Sequence, residues 1–579
     1  MQHAEGGKRG AAPMPVRHGA AWLRWLPGVG VARSYQPSWL RGDAVAGIVL
    51  TALLVPQGMA YAELAGLPPV TGLYTTVVAL LAYALFGPSR ILILGPDSSL
   101  GPLIAATIIP LVGAGGDPAT AIALAGMLAI LMGATCLLAG FAHLGGLTEL
   151  LSKPVRVGYL NGIAIIVVVS QLPKLFGFSI DADGFWPELR AWGRGVAEGE
   201  TDPTALVIGL GCIAVILGCR HWLPAIPGVL VAVIGATLIV VAFDLDVPVV
   251  GPIPTGFPSP HLPHVSAEDL GRLAVAAIGM AFVTLADTSA LSRSIALRRR
   301  EVVDPNQEMV ALGAANVAAG LFGGFPVSAS SSRTAVAGSS GANSQLVGVI
   351  GASAIVLVLL FAGDLLRDLP SSALAAIVIV AGFSLFDLDT LRFLWRARRS
   401  EFFLSMAALA GVALVGVLPG IGIAVALSVA NFVRRQWRPY DAVLAVVPGR
   451  GGYHDFERHP EGTLVPSVAI YRFDAPIFFA NADHFVRQVH AVVASGSADG
   501  TGIRTVVVAA EPITDIDTTG AEALSQLLDE LDQRGVALAF AELKGPVKDR
   551  LRRYGLYDRM GDDRFFPTVE DAVAWASSR

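Results

Sequence analysis

Between residues 43 and 434 the chain is a succession of apolar runs, each of roughly 20 residues or somewhat fewer, separated by short loops. Wound as an α-helix, a run of about 20 residues matches the thickness of bilayer hydrocarbon. Composition agrees with the runs. Hydrophobic residues are 54% of the chain and charged residues 15%, against about 25% charged in a typical soluble protein. So little charge cannot solvate the outside of a soluble globule of this apolarity. The expected fold is a polytopic α-helical membrane protein, with the lipid bilayer as its first partner. The net charge of −5 carries no basic signature for nucleic acid, and no such partner is expected.

About fourteen segments can be marked: 43–64, 69–86, 96–112, 119–141, 155–172, 204–219, 226–243, 268–292, 305–322, 328–337, 343–362, 371–386, 401–418 and 420–434. They are numbered 1 to 14 below. Composition shifts on either side of them. Residues 1–40 mix Arg, Gly, Pro and Trp without the apolar stretch and cleavage site of a signal peptide. The expected organisation is an N-terminal segment (1–40), a membrane domain (41–436), a linker (437–461) and a soluble α/β domain (462–579). The cysteines Cys136, Cys212 and Cys219 lie in apolar stretches without metal-ligand spacing. They read as small hydrophobes; no metal and no cofactor is expected.

Basic residues mark every second loop: Arg41, Arg90, Lys153 and Arg156, Arg220, Arg293 with Arg298–300, Arg392 with Arg396, and Arg434 with Arg438. The intervening loops differ: 244–267 has neither Lys nor Arg, and 173–202 and 363–370 mix acids with a few basic residues. Lys and Arg are enriched in cytoplasmic loops. Both termini and the α/β domain are therefore expected in the cytoplasm, with the helices in the plasma (inner) membrane.

Segments 3 and 10 are broken by Gly, Pro and Ser. The first reads Gly95-Pro96-Asp97-Ser98-Ser99-Leu100-Gly101-Pro102, the second Gly323-Gly324-Phe325-Pro326-Val327-Ser328-Ala329-Ser330-Ser331-Ser332-Arg333-Thr334. A mid-span break leaves backbone N–H groups that hydrocarbon cannot satisfy, so it persists where it lines a site. The start of a half-helix offers free amides and partial positive charge to an anion. The breaks lie seven segments apart, an odd number, so the two halves run in opposite directions through the membrane. Paired interruptions of this kind point to an inverted-repeat transporter with a midplane site.

Two intramembrane charges sharpen the reading, since such charges are costly and usually functional. Arg333 follows the serine-rich helix start and suits an anion; a structural ion pair with Asp287 or Asp97 is the other reading. Asp287, with Thr288 beside it in segment 8, suits a coupled cation; a hydrogen-bonded structural carboxylate is the alternative. Gln57 and Tyr61, four residues apart, share one face of segment 1 and offer polar contacts to a substrate or to a neighbouring helix. Ser98, Ser99, Ser330, Ser331 and Ser332 complete the candidate anion site. Asp97 beside an anion would repel it and reads better as a cap.

The run Val55-Pro56-Gln57-Gly58-Met59-Ala60-Tyr61-Ala62, followed by Leu64-Ala65-Gly66-Leu67-Pro68-Pro69 and Gly72-Leu73-Tyr74, closely resembles the signature of SulP anion permeases (solute carrier family 26). Phe325-Pro326-Val327 with Ser332-Arg333-Thr334-Ala335-Val336 is similar to that family's tenth segment. The resemblance implies about fourteen spans as seven-plus-seven inverted repeats, divided into a mobile core domain and a gate domain. It also implies an anion site between the starts of segments 3 and 10, near Gln57, Tyr61, Ser332 and Arg333, and a homodimer. Asp287 matches an acidic position that is often Glu in the family. Family members move sulfate, bicarbonate, chloride or dicarboxylates, many with H⁺ or Na⁺.

Beyond the membrane region, strands are expected at 467–474, 505–510 and 536–542, alternating with helices at 482–494, 515–534 and 547–554. The run 473–482 resembles the STAS domain of the same permeases. STAS domains also resemble anti-sigma-factor antagonists, which implies a possible regulatory phosphosite at Thr518 or Thr519; a plain helix cap is the other reading. No nucleophile–base pair is evident, and an enzyme is not expected. The expected function is secondary active transport of an inorganic anion by alternating access, with sulfate as substrate and H⁺ as coupled ion. Na⁺-coupled bicarbonate transport, dicarboxylate transport, an uncoupled anion channel and a membrane sensor led by the STAS domain are the competing readings.

Overall fold

The computed structural model describes residues 25–113, 116–145, 152–180, 182, 184–223, 226–254, 256–361, 363–498 and 502–579. Most of the expected N-terminal segment 1–40 therefore lies outside the described residues. The chain divides into two compact units, Met1–Ser428 and Val429–Arg579.

Each of the fourteen expected segments is a helix: Leu40–Leu64, Pro69–Phe86, Gly101–Val112, Pro118–Phe141, Lys153–Leu175, Pro203–Trp222, Gly228–Phe243, Ala267–Arg299, Pro305–Leu321, Ser331–Ser339, Leu346–Phe361, Ser371–Leu385, Arg399–Ala410 and Val417–Trp437. Local sequence sets several starts. Asp117-Pro118, Asp202-Pro203 and Asp304-Pro305 each place a carboxylate where it accepts the N–H two residues on, at 3.1, 2.8 and 2.9 Å. The proline occupies the first helical position, where its missing N–H costs nothing.

Further helices among the described residues were not expected, the longest being Phe185–Glu198 and Leu388–Ala397. Each follows the fifth segment of its half. Their apolar residues recur every three or four positions instead of forming a continuous run, so a search for spans passes over them.

Segments 4 and 9 lie backbone to backbone. A Cβ added at Gly133 would sit 2.6 Å from the Gly313 carbonyl, and one at Gly320 would sit 2.3 Å from that of Gly126. Glycines seven apart on both helices (Gly126, Gly133 and Gly140 against Gly313 and Gly320) allow this approach. Small residues play this part in helix packing inside membranes.

Loops that the charge pattern assigns to one face are found together. Asp43 accepts the N–H groups of Asn343 and Ser344 at 2.6 and 3.2 Å and the Ser344 hydroxyl at 2.6 Å. Arg90 lies 3.9 Å from Glu301. Loops assigned to the other face also meet, with Val250 and Gly251 donating to the carbonyls of Leu369 and Arg367 at 3.0 and 2.9 Å.

In the first unit two short strands, β1 (Leu94–Gly95) and β2 (Ser328–Ala329), pair antiparallel. The second unit holds a six-stranded sheet of β3 (Asp441–Val446), β4 (Tyr453–Asp455), β5 (Val468–Phe473), β6 (Thr505–Ala509), β7 (Ala537–Ala541) and β8 (Phe565–Phe566), in the order β4-β3-β5-β6-β7-β8. Strands β5 to β8 are parallel, and β3 is antiparallel to both its neighbours. Residues alternate along β5. Ala469, Tyr471 and Phe473 enter a core with Phe485 and Leu527, while Val468 and Ile470 face Val569 and Ala576 on the other side. The stretch 437–461, read from sequence as a linker, contributes β3 and β4 to the sheet.

Candidate functional site

The β1–β2 pair brings the two broken segments together. Leu94 lies opposite Ala329 and Gly95 opposite Ser328. Ser330 donates its N–H to the Ile93 carbonyl at 3.1 Å, and the Ile93 N–H donates to Thr334 Oγ1 at 3.0 Å. Asn316 secures the second break from segment 9, accepting the Val327 N–H at 2.9 Å and donating to its carbonyl at 3.2 Å. These backbone groups thus gain partners, and the starts of helices Gly101–Val112 and Ser331–Ser339 converge. The first N–H groups of a helix have no partner within it, so two sets of amides share one place.

A cavity of about 760 Å³ opens there. Gln57, Tyr61, Ser98, Ser99, Ser330, Ser331 and Ser332 line it, and Asp287 joins them. The Ser330 and Ser332 hydroxyls lie 3.2 Å apart, and no side chain caps the helix start beside them.

Arg333 does not line the cavity. It is enclosed behind the serine wall, 1% exposed, with Nη2 3.4 Å from the Gly95 carbonyl and 3.6 Å from Asp97 Oδ1. Gly95 leaves it room, since a Cβ there would sit 2.8 Å from Nη1. Nε and Nη1 have no hydrogen-bond partner among the described residues. Asp97 also accepts the Ser99 N–H at 3.1 Å and the Ser99 hydroxyl at 2.7 Å; this closes the turn before the helix and is not the expected helix cap, since the N-cap Leu100 has no side-chain bond, and Asp97 itself lines the cavity. Asp287 accepts the Tyr159 hydroxyl at 2.8 Å. Thr288 points elsewhere: it is buried, its hydroxyl has no partner among the described residues, and it does not line the cavity.

Four further charged residues that sequence reasoning did not name as site candidates line the cavity: Lys153, Arg156, Arg220 and Asp387. They sit at the ends of segments 5, 6 and 12, on the face marked by basic loops. Loop charge by itself indicates orientation, and it does not tell which basic residues reach a cavity. Tyr159 was also missed, since a tyrosine in an apolar helix carries no distinct signal. A further buried carboxylate, Glu308, accepts the hydroxyls of Tyr83 at 2.6 Å and Ser292 at 2.7 Å.

In the second unit Asp517 caps the helix Thr518–Gln533, accepting the Gly520 N–H at 2.7 Å. Thr518 and Thr519 are exposed in its first turn.

Residues 40–408 match the model of the sulfate permease family. The chain belongs to the sulfate permease family. Residues 459–572 match the STAS domain, so this permease carries one, built on the sheet described above. Its family is one of membrane anion transporters. A probable sulfate transporter of Mycobacterium tuberculosis is 42% identical over 552 residues, 95% of this chain and 97% of that relative. The structure of the murine Slc26a9 anion transporter in the inward-facing state shares the fold, with a TM-score of 0.88 and 22% identity over 99% of this chain and 97% of that one. The transmembrane domain of the cyanobacterial bicarbonate transporter BicA is 26% identical with a TM-score of 0.60, covering 67% of this chain and 97% of its own.

Proposed function

We propose that this permease takes up sulfate with H⁺ by alternating access, the core of segments 1, 3, 8 and 10 carrying the anion past a gate. One observation carries the reading. Hydroxyls and helix-start amides from both halves converge on a single cavity, with the buried cation Arg333 behind them and the carboxylate of Asp287 in the same wall. Neutral hydroxyls and amides suit a fully deprotonated oxyanion such as sulfate, which accepts hydrogen bonds and donates none. Arg333 then acts through the wall as fixed positive charge. Moving a dianion inward against an inside-negative potential costs about 4.6 kcal/mol per 100 mV, and protons taken up with it offset that cost. Asp287, hydrogen-bonded to Tyr159, is the assigned proton carrier.

The same reading places both termini and the STAS domain in the cytoplasm, the spans in the inner membrane, and the cavity open toward the basic loops. A homodimer and a regulatory role for Thr518 or Thr519 belong to it as well. The exposure of both threonines beside an anion-favouring helix start supports the latter.

The test is radiolabelled sulfate uptake into proteoliposomes with an imposed pH gradient, competed by bicarbonate, chloride and succinate, with and without Na⁺. Accumulation driven by the gradient and blocked by unlabelled sulfate is the expected result. Flux that only runs downhill would replace the carrier with a channel. The likeness to BicA favours Na⁺-coupled bicarbonate transport as the second reading, and uptake requiring Na⁺ and competed best by bicarbonate would select it.

A further inference from the structure

The second unit has a polar pocket of its own. It measures about 430 Å³ and is lined by Tyr440, Tyr453, His454, Asp455, Arg458, His459 and Arg472. These residues come from the β3–β4 hairpin, the turn after it and strand β5. Two guanidinium groups share the ring of Tyr440, Arg458 at 5.9 Å and Arg472 at 5.5 Å from its centre. Bringing two fixed cations to one ring is unfavourable by itself, since like charges at this range repel.

The acidic side of the pocket is already engaged. Asp455 accepts the Tyr440 hydroxyl and the Glu457 N–H at 2.9 Å, and Arg458 Nε lies 3.7 Å from it. The Tyr440 hydrogen bond first of all, aided by backbone amides, holds the Asp455 carboxyl below the usual carboxylate range despite some burial. Arg472 places Nε 3.0 Å from Asp474, which does not line the pocket. His454 turns Nε2 to the Gly451 carbonyl at 3.0 Å, which leaves Nδ1. Among the lining residues two arginines and two histidines face one carboxylate, with both ring nitrogens of His459 already taken by Glu461 at 3.0 Å and Arg450 at 3.2 Å; each arginine turns its Nε, not its forked Nη pair, toward an acid, without a hydrogen bond there.

We propose that this pocket binds a tetrahedral oxyanion, sulfate or phosphate, between Arg458 and Arg472. The planar fork of each guanidinium matches two oxygens of such an ion, and charge-assisted hydrogen bonds of this kind are about twice as strong as neutral ones. The anion neutralises the two cations on Tyr440. Its place in β3–β4 ties occupancy to the first strands of the sheet, apart from the transport cavity.

Amide hydrogen exchange across 440–459 tests this on the purified full-length protein at constant ionic strength, titrated separately with sodium sulfate and sodium phosphate. The expected result is slower exchange in this hairpin with at least one anion. Arg458→Gln, on an exposed turn where it cannot unfold the sheet, should shift the midpoint by roughly tenfold or more, and Arg472→Gln should do the same. Arg333→Gln, in the transport segment, should leave the hairpin response in place, so failure of the transport assignment is distinguishable from failure here. A stronger response to sulfate identifies the ligand as the ion proposed for transport, and a stronger response to phosphate identifies a separate one. No response to either anion, or a response unaltered in Arg458→Gln, overturns the proposal.

Discussion

Asp287 and Arg333 are both charges in apolar segments, yet their surroundings differ and so do the expected effects of changing them. Asp287 lies in the cavity wall with one hydrogen bond, from Tyr159. Asp287→Asn keeps the shape and removes the titration. It should abolish accumulation driven by a pH gradient while sulfate binding, followed by calorimetry, stays within about threefold. Normal gradient-driven uptake in this variant would remove Asp287 from the coupling role. Arg333 is enclosed, so Arg333→Ala removes the fixed cation and leaves Asp97 without its ion pair. Loss of a buried charge's partner is strongly destabilising, and sulfate affinity should fall at least tenfold together with the melting temperature. Glu308 is different again. It accepts hydroxyls from segments 2 and 8 and lies outside the cavity. Glu308→Ala leaves two buried hydroxyls unpaired at a cost of about 2 kcal/mol, which thermal unfolding would register; an unchanged melting temperature would show that the network contributes nothing.

At the scale of elements, the two half-helices were legible because Gly, Pro and Ser interrupt apolar runs at matching positions. Their pairing through β1 and β2 was not. Two residues per strand carry no detectable period, and the partners are more than 200 positions apart in sequence. The amphipathic helices Phe185–Glu198 and Leu388–Ala397 escaped for the reason that hides surface helices generally: half of each is polar, so mean apolarity is low. The glycines of segments 4 and 9 are visible in the sequence, but only the structure shows which helix they admit. Gly133→Val should drive a side chain into the Gly313 backbone, where a Cβ would already sit 2.6 Å from the carbonyl oxygen. Overpacking of this kind costs about 1–3 kcal/mol or more. The measurement is the fraction of variant that elutes as a single folded species in detergent; full recovery would mean the two helices can move apart at little cost.

At the scale of the whole molecule, every residue assigned to the anion site lies in the first compact unit. Removing 438–579, which takes the whole sheet from β3 onward, should therefore leave sulfate affinity within about twofold, as read by equilibrium binding to the shortened protein. A collapse of affinity would show that the second unit supports the site. Sequence by itself determined the membrane class, the positions of the spans, the opposed halves and the alternation of strand and helix in the STAS domain. Each follows from periodicity, run length or the parity of a spacing, which are properties of neighbouring residues. It also picked out the serines, Gln57, Tyr61 and Asp287, because polar groups in apolar runs stand out. Only the tertiary structure decided that Arg333 stands behind the cavity wall and not in it, that Tyr159 holds Asp287, that Lys153, Arg156 and Arg220 reach the same cavity, and that 441–455 belongs to the sheet. These depend on which distant backbone positions meet, and burial and hydrogen bonding are set by that meeting, not by the identity of a residue or its neighbours in the chain.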